Sequence, residues 1–306
     1  MSESLTAFRC ATAARRRADP VVGSAPQARG WLLLEHPGPW PVDAVAGSGI
    51  EPRILQSLQQ AASAAGARIL LVRRPGRLQR DAARRWILTR PGRPTVAGPW
   101  REDEELRAAA AALAGAPTAT DTAPPAEALI LVCAHGMHDA CCAIRGRPVA
   151  AALVEHYPDQ VWECSHVGGD RFAPNVVLLP DGFYYGNLDP ETAVEAVRDH
   201  LSGTVDARWL RGMANLPPPV QAAAAAAYDR LGPLAPGAVT VESVDQVGAH
   251  DGHGSETTVL LRAGGARRVR VEVLATRRPV AQLTCRAARE TPATAYQVVS
   301  FVQLSG

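Results

Sequence analysis

Thiols and imidazoles, the side chains that bind soft and borderline metals, are concentrated in one short stretch of this sequence. The stretch contains four of the chain's cysteines and four of its histidines: Cys133, Cys141, Cys142, Cys164, His135, His138, His156 and His166. Thiolate and imidazole together are typical of zinc sites and of iron–sulfur clusters. The pattern therefore predicts a metal or redox centre between residues 133 and 170.

Two segments carry these side chains, and each follows a predicted strand. In VCAHGMHDACCAIRGRP, eight residues separate Cys133 from Cys142. The second segment, ECSHVGGDRFAPN, offers a thiol, an imidazole and a carboxylate around a Gly-Gly pair: Cys164, His166, Gly168, Gly169 and Asp170. Loops at strand ends are where α/β folds place their sites, and glycines let a backbone approach a bound group closely.

These segments resemble the sucrase/ferredoxin-like family, which is built on the thioredoxin-like ferredoxin fold. The matching stretches cover most of residues 30–190: EHPGPW (35–40), VCAHG…D..C (132–142), GRPVA (146–150), W.CSHVGGDRFAPN (162–175) and LPDG.YYG (179–186). Members that keep His-x3-His in the second loop hold a [2Fe–2S] cluster with two cysteines and two histidines. The resemblance implies Cys133, Cys142 and His166 as cluster ligands. Nothing in these residues supports glycoside hydrolysis, because no positioned carboxylate pair is evident.

The fourth ligand is left open, because Asp170 stands where the family pattern has its second histidine. Asp170 is a hard oxygen donor, whereas iron in sulfide clusters normally takes thiolate or imidazole. Cys164 lies two residues before His166, on the same face of a predicted strand at 161–166, so its sulfur could reach the site. Donor chemistry favours Cys164 and the family spacing favours Asp170. We expect Cys164 by a small margin, and loss of the cluster is the third alternative.

The other cysteines and histidines have simpler interpretations. A cysteine by itself is more often a small buried hydrophobe than a ligand, and the combination with a glycine-rich histidine loop is what favours a metal centre. Cys141 is expected to be a spare thiol, because adjacent cysteines rarely bind one cluster. His135 and His138 are expected to hydrogen-bond loop backbone. Cys10 and Cys285 lie far away in sequence and are interpreted as structural.

Hydrophobic patterning predicts the elements that position these loops. Strands are expected at 31–36, 67–74, 84–91, 128–134, 161–166, 175–180 and 183–188, and helices at 52–65, 102–115, 147–157 and 190–203. The order of elements before residue 115 returns after residue 128. Either a thioredoxin-like ferredoxin unit is duplicated, or the repetition is the ordinary alternation of an α/β chain.

The composition changes after residue 203. A helix is expected at 217–232, followed by an antiparallel meander, with 294–304 either a last strand or a helix. The expected fold class is α/β, with a thioredoxin-like ferredoxin unit followed by a small α+β domain. The expected divisions are an N-terminal extension (1–29), a first α/β unit (30–115), a linker (116–127), the ferredoxin unit (128–203) and the C-terminal domain (204–306).

Composition excludes several classes of function. All 32 basic residues are arginine, so Schiff-base chemistry and a P-loop, which both need lysine, are absent. A net charge of +2 and the lack of a long apolar run predict neither a nucleic-acid nor a membrane partner. The N-terminus has its arginines after a short apolar stretch, unlike a signal peptide, so we expect a cytoplasmic protein. Asp139 and Arg171 are expected either to pair or to be solvated at the surface.

Three functions fit these observations. The leading interpretation is a [2Fe–2S] protein that exchanges single electrons with an unidentified redox partner protein, rather than a hydrolase. The second is a thiol-dependent redox enzyme, with Cys141 or Cys142 activated near a helix that begins at Pro148, although a Cys-x-x-Cys motif is missing. The third is a structural zinc site in a non-catalytic module that binds a partner.

Overall fold

A nine-stranded mixed sheet forms the centre of the protein in the computed structural model, which describes residues 8–76, 84–115, 128–247 and 254–304. Its strands are β1 (Gly30–Glu35), β2 (Ala67–Arg73), β3 (Arg84–Arg90), β4 (Arg93–Trp100), β5 (Leu129–Cys133), β6 (Val161–Cys164), β7 (Asn175–Leu179), β8 (Phe183–Gly186) and β9 (Leu210–Met213). They are arranged in the order β4-β3-β1-β2-β6-β5-β7-β8-β9. The linker expected at 116–127 lies outside the described residues.

The two halves of this sheet share one pattern of strand pairing. β1 pairs parallel with β2 and antiparallel with β3, and β5 pairs parallel with β6 and antiparallel with β7. Each parallel pair is connected by one long helix, α2 (Pro52–Ala65) in the first half and α4 (Ala140–His156) in the second. The halves meet where β2 and β6 run antiparallel. This pattern fits the mixed α/β fold expected from the sequence, and a duplication stays a prediction.

Helices cover one face of the sheet, and the N-terminal segment covers the other. Alternate strand residues point to opposite faces, so Leu34 of β1 packs against α2 and α3 (Leu106–Leu113), and Val132 of β5 packs against α4 and α5 (Pro190–Leu201). Leu33 and Cys133 instead join a buried cluster with Cys10, which lies in a short helix, α1 (Cys10–Arg16). Helix α1 was not predicted, since little periodicity was evident before residue 30. Cys133 therefore faces the N-terminal segment.

The antiparallel meander expected at the C-terminal end is present. β10 (Val239–Val247), β11 (Ser255–Ala263), β12 (Arg267–Ala281) and β13 (Thr291–Leu304) form a second sheet in sequential order. The last segment is thus a strand. Helix α6 (Pro218–Arg230) packs its alanines against both sheets, and the inner residues of β11 and β12 complete that core. β9 pairs with β8, so the large sheet continues past residue 203.

Two elements differ from the expected ones for local reasons. Helix α4 begins at Ala140 rather than 147, because Asp139 caps it by accepting the backbone N–H of Cys141 at 2.8 Å. Pro148 consequently lies inside the helix instead of at its start. β4 was not predicted because it contains two prolines, which a strand at the edge of a sheet accommodates. None of the described helices is long and apolar enough to span a membrane.

Candidate functional site

The first loop of the site runs from the end of β5 into the first turn of α4. Cys133 is the last residue of β5, and Cys142 lies one turn into α4, so Cys141 and Cys142 are on the helix and not in the loop where they were expected. Cys133 and Cys142 are buried neighbours. Their interaction lowers the pKa of the Cys133 thiol and raises that of Cys142, whose thiol donates to Asp170. Two neighbouring cysteine sulfurs suit binding to one metal atom.

The second loop begins directly after β6. The strand ends at Cys164, so His166 is not on it, and the expectation that both side chains share one strand face is wrong. Gly168 and Gly169 adopt φ values of +91° and +78°, which side-chain-bearing residues rarely adopt. A Cβ atom on Gly169 would lie 2.2 Å from a guanidinium nitrogen of Arg211. The Gly-Gly turn brings Asp170 into contact with His166 and with Cys142 of the first segment.

Asp170 is the point where the two loops meet. The Cys142 thiol donates to its Oδ1 atom at 3.2 Å, and His166 Nδ1 lies 2.9 Å from the same oxygen. Asp170 is only 4% exposed. Burial alone would raise the pKa of its carboxyl, but His166 and Cys142 lower it; burial alone would lower the pKa of His166, but Asp170 raises it. The carboxylate therefore links a predicted thiol ligand to the predicted imidazole ligand.

Cys164 lies beside this group but does not join it. It is fully buried and pairs in register with Cys133 on the neighbouring parallel strand. Burial raises the pKa of its thiol well above the ordinary value. In the described part of the chain, its sulfur forms no hydrogen bond with Cys142, His166 or Asp170. Cys164 is thus packed as a protonated thiol next to one proposed ligand.

Side chains hold every backbone carbonyl of the second loop from residue 166 to residue 169. Arg68 donates to the carbonyls of His166 and Val167, Arg211 to that of Gly168 at 2.9 Å, and Asn175 to that of Gly169 at 3.0 Å. Such a set of donors fixes the loop without using its functional side chains. The sequence analysis missed Arg68 and Arg211, because neither lies near the motif in sequence.

Arg211 is fully buried on β9 and donates hydrogen bonds from all three nitrogens of its guanidinium group. Besides Gly168, it donates to Asn175 Oδ1 at 2.7 Å and to the carbonyl and hydroxyl oxygens of Ser24 at 2.6 and 3.1 Å. Burial lowers the pKa of Arg211 to about 10, so the group stays charged at neutral pH. It therefore joins the N-terminal segment, β7, β9 and the second loop through charge-assisted hydrogen bonds.

We expect Arg211→Leu to destabilise the protein by about 3 kcal/mol or more, because it leaves several buried acceptors without donors. Urea unfolding monitored by tryptophan fluorescence measures the change. Arg208→Leu is the matched control, since Arg208 is exposed and pairs with neighbouring Asp206; it should change the free energy of unfolding by less than about 0.5 kcal/mol. Equal effects of the two substitutions would contradict the role assigned to Arg211.

Histidines form the outer edge of the site. His135 Nε2 lies 2.7 Å from the carbonyl of Pro41, and His138 Nδ1 lies 3.2 Å from that of Val42, so both bind loop backbone as expected. His138 also stacks on His166, with ring centroids 3.8 Å apart, and its Nε2 lies 3.8 Å from Asp170 Oδ2. The three histidines line a cleft of about 380 Å³. The imidazole rings thus separate the buried thiols from solvent.

The cysteines that the sequence analysis set aside are brought together by the fold. Cys10, Cys141 and Cys285 converge on Asp139, and the four ligand atoms lie within 4.8 Å of one another. Asp139 is fully buried, so neither interpretation given for it from the sequence is correct. Arg171 lies near Asp19 instead, at 3.9 Å. Distance along the chain concealed this second group, because residues 10 and 285 come from opposite ends of the sequence.

Fold and site together define an α/β protein in which a cysteine-bearing segment and a histidine-bearing loop meet at a buried carboxylate. The chain belongs to the sucrase/ferredoxin-like family, whose model matches residues 21–212. Two solved structures of the thioredoxin-like [2Fe–2S] ferredoxin from Aquifex aeolicus also match. One, a cysteine-to-serine variant, is 26% identical over 27% of this chain and 96% of its own, with a TM-score of 0.24. The other is 24% identical over 29% and 94%, with a TM-score of 0.26. No curated protein matches the chain.

Proposed function

We propose that this chain is an iron–sulfur protein that carries single electrons on a [2Fe–2S] cluster held by Cys133, Cys142, His166 and Asp170. The observation that carries the proposal is the convergence of two buried thiols, an imidazole and a carboxylate from two loops of a sucrase/ferredoxin-like chain. Such a cluster supplies a reversible one-electron step when bound. The redox role and the cluster type both belong to this proposal.

The donor set fits such a group. The neighbouring cysteines Cys133 and Cys142 offer two sulfurs to one iron. His166 Nδ1 is buried and, among the described residues, forms no hydrogen bond of normal geometry although Asp170 is close. A buried nitrogen without a well-formed bond is costly, and binding a metal would satisfy it. The two sides of the site therefore correspond to a two-thiolate end and an imidazole–carboxylate end.

Contacts support Asp170 rather than Cys164 as the fourth ligand, although donor chemistry favours the thiol. Asp170 contacts both Cys142 and His166 directly, at 3.2 and 2.9 Å. Within the residues that the structure describes, Cys164 forms no hydrogen bond with these two side chains, because β6 ends at Cys164 and the chain then turns toward the Gly-Gly pair. A ligand at position 170 also keeps the three-residue spacing after His166 that the family pattern uses. We therefore assign the role to Asp170 and test it against Cys164 below.

The exposed histidine edge is the proposed route for electrons. Cys133 and Cys142 have almost no exposed surface, whereas the side chains of His138 and His166 are 33% and 28% exposed. Met137, with 57% of its surface exposed, lies beside His138 in the chain. A redox partner protein would dock over this edge, because it offers the shortest path from solvent to the buried ligands. A cytoplasmic location stays a prediction.

The alternative of a thiol enzyme receives little support from this geometry. Cys142 is 0% exposed and Cys141 is 1% exposed, so neither sulfur can meet a substrate without rearrangement. Reactive cysteines are partly exposed in electropositive surroundings. Here the interaction with Cys133 and burial raise the pKa of Cys142 well above its ordinary value, which opposes thiolate formation on Cys142.

The test is the visible spectrum of the full chain purified anaerobically, with assays of iron and acid-labile sulfide. We expect a red-brown protein with about two irons and two sulfides per chain, which dithionite bleaches and converts to an EPR-active state. A colourless protein with zinc at Cys133 and Cys142 would overturn the proposal in favour of a structural zinc site. Iron without labile sulfide would also contradict the cluster.

A further inference from the structure

A second set of metal-binding side chains consists of Cys10, Asp139, Cys141 and Cys285. Cys10 comes from the start of α1, Cys141 from the first turn of α4, and Cys285 from the loop between β12 and β13. Cys285 Sγ lies 3.5 Å from both Cys10 Sγ and Cys141 Sγ. Both carboxylate oxygens of Asp139 lie 3.5 Å from Cys10 Sγ.

These distances match the edges of a tetrahedron around one ion. A zinc ion with Zn–S bonds of about 2.3 Å holds its thiolate sulfurs about 3.8 Å apart, and a Zn–O bond of about 2.0 Å brings sulfur and oxygen to about 3.5 Å. The sulfurs are too far apart for a disulfide, whose S–S bond is about 2.05 Å. The geometry points to a single zinc ion bound by Cys10, Cys141, Cys285 and Asp139.

The surroundings of Asp139 are those of a metal ligand held in place by the backbone. The N–H groups of Cys141 and Cys285 donate to its two oxygens at 2.8 and 2.6 Å. No arginine or histidine forms an ion pair with it in the described ranges, and the residue is 0% exposed. A buried carboxylate without a positive partner is costly, and a divalent cation among three thiolates would supply that charge.

A backbone N–H group also donates to one of the sulfurs. The backbone N–H of Cys10 donates to Cys285 Sγ at 3.4 Å. Amide donors aimed at sulfur favour thiolate over thiol. Zinc accepts both thiolate and carboxylate ligands, and its structural sites are closed and tetrahedral. The ion would fasten the N-terminal helix, α4 and the β12–β13 loop to one another.

This zinc site is separate from the proposed cluster although the two share a turn of helix. Cys141 and Cys142 are adjacent, but Cys141 faces Cys285 whereas Cys142 faces Asp170. Zinc at one group and iron at the other can therefore be counted independently. Loss of either metal would not by itself mean loss of the other.

The experiment measures zinc, iron and free thiols in the full chain purified anaerobically, for the native sequence and for Cys285→Ser and Cys133→Ser. Cys285 is only partly buried, on a loop, so its replacement by Ser should preserve the fold, which circular dichroism checks. We expect about one zinc per native chain, at least a tenfold loss of zinc in Cys285→Ser with iron retained, and the reverse pattern in Cys133→Ser.

A second measurement replaces zinc by Co²⁺ in the Cys133→Ser background, where no cluster absorbs. Cobalt bound by three thiolates in tetrahedral geometry should give strong visible bands, and Cys10→Ser should weaken them. No zinc in the native chain, zinc unchanged in Cys285→Ser, or a disulfide among these three cysteines under anaerobic conditions would each overturn the proposal. Absence of iron from the native chain would overturn only the proposed cluster, because the zinc count does not depend on it.

Discussion

Replacing Cys133 with Ser is expected to lower bound iron to less than about a tenth of its native level and to abolish the visible spectrum. The side chain is the last of β5 and is fully buried, so the strand cannot shift to bring a shorter oxygen ligand to the iron. Serine is also a harder and far less acidic donor than cysteine. Cys142→Ser should have the same effect. Iron and sulfide assays on anaerobically purified protein measure both.

Cys285→Ser is the control for these variants, because it removes a neighbouring thiol that does not face Asp170. It should retain the iron content and spectrum of the native protein. Unchanged iron and spectrum in Cys133→Ser would refute the assignment of the cluster to this loop, provided that circular dichroism shows the variant to be folded.

The second large effect concerns Asp170. Asp170→Ala should lose the cluster or bind iron at least about tenfold more weakly, because it removes both a ligand and the group that joins Cys142 to His166. Cys164→Ala should keep the native spectrum, since that thiol forms no hydrogen bond with Cys142, His166 or Asp170 in the part of the chain that the structure describes. Asp170→His should keep a cluster, restore the family's His-x3-His pattern and raise the reduction potential, because a neutral imidazole replaces an anionic ligand.

Spectra and potentiometric titrations of the three variants distinguish the alternatives. If Cys164→Ala loses the cluster while Asp170→Ala retains it, the ligand is Cys164, as donor chemistry alone favours. If both variants keep the cluster, His138 becomes the leading candidate, because its Nε2 lies 3.8 Å from Asp170 Oδ2. In that case His138→Ala should lose the iron.

Local sequence patterns were sufficient to predict the two loops and most strands that precede them. Hydrophobic runs located β5, β6 and β7, and the Gly-Gly pair indicated a tight turn where φ is positive at both positions. The start of α4 could not be located from periodicity, since it depends on one hydrogen bond from Cys141 to its cap. The end of β6 before His166 likewise depends on contacts with β2 and not on side-chain pattern.

Contacts between distant parts of the chain could not be predicted from such local patterns. Arg211 has no motif around it, yet it binds the carbonyl of Gly168 across the sheet. Cys10 and Cys285 are 275 positions apart in sequence and meet only because the fold brings α1 and the loop between β12 and β13 together beside Asp139. A single sequence carries no signal for such pairs, because neither residue type nor spacing connects them.

The position of Arg211 has a consequence for the order of events during translation. All four proposed cluster ligands precede residue 171, so they leave the ribosome well before β9 is synthesised. Until Arg211 emerges, the Gly168 carbonyl lacks its guanidinium donor and Ser24 is not yet joined to the second loop. Because domains fold as their residues emerge, we expect a nascent chain stopped before β9 to carry every ligand but to retain iron poorly. A prematurely terminated product would then bind the redox-active metal weakly. Stable assembly of the cluster would be confined to chains in which β9 has been synthesised.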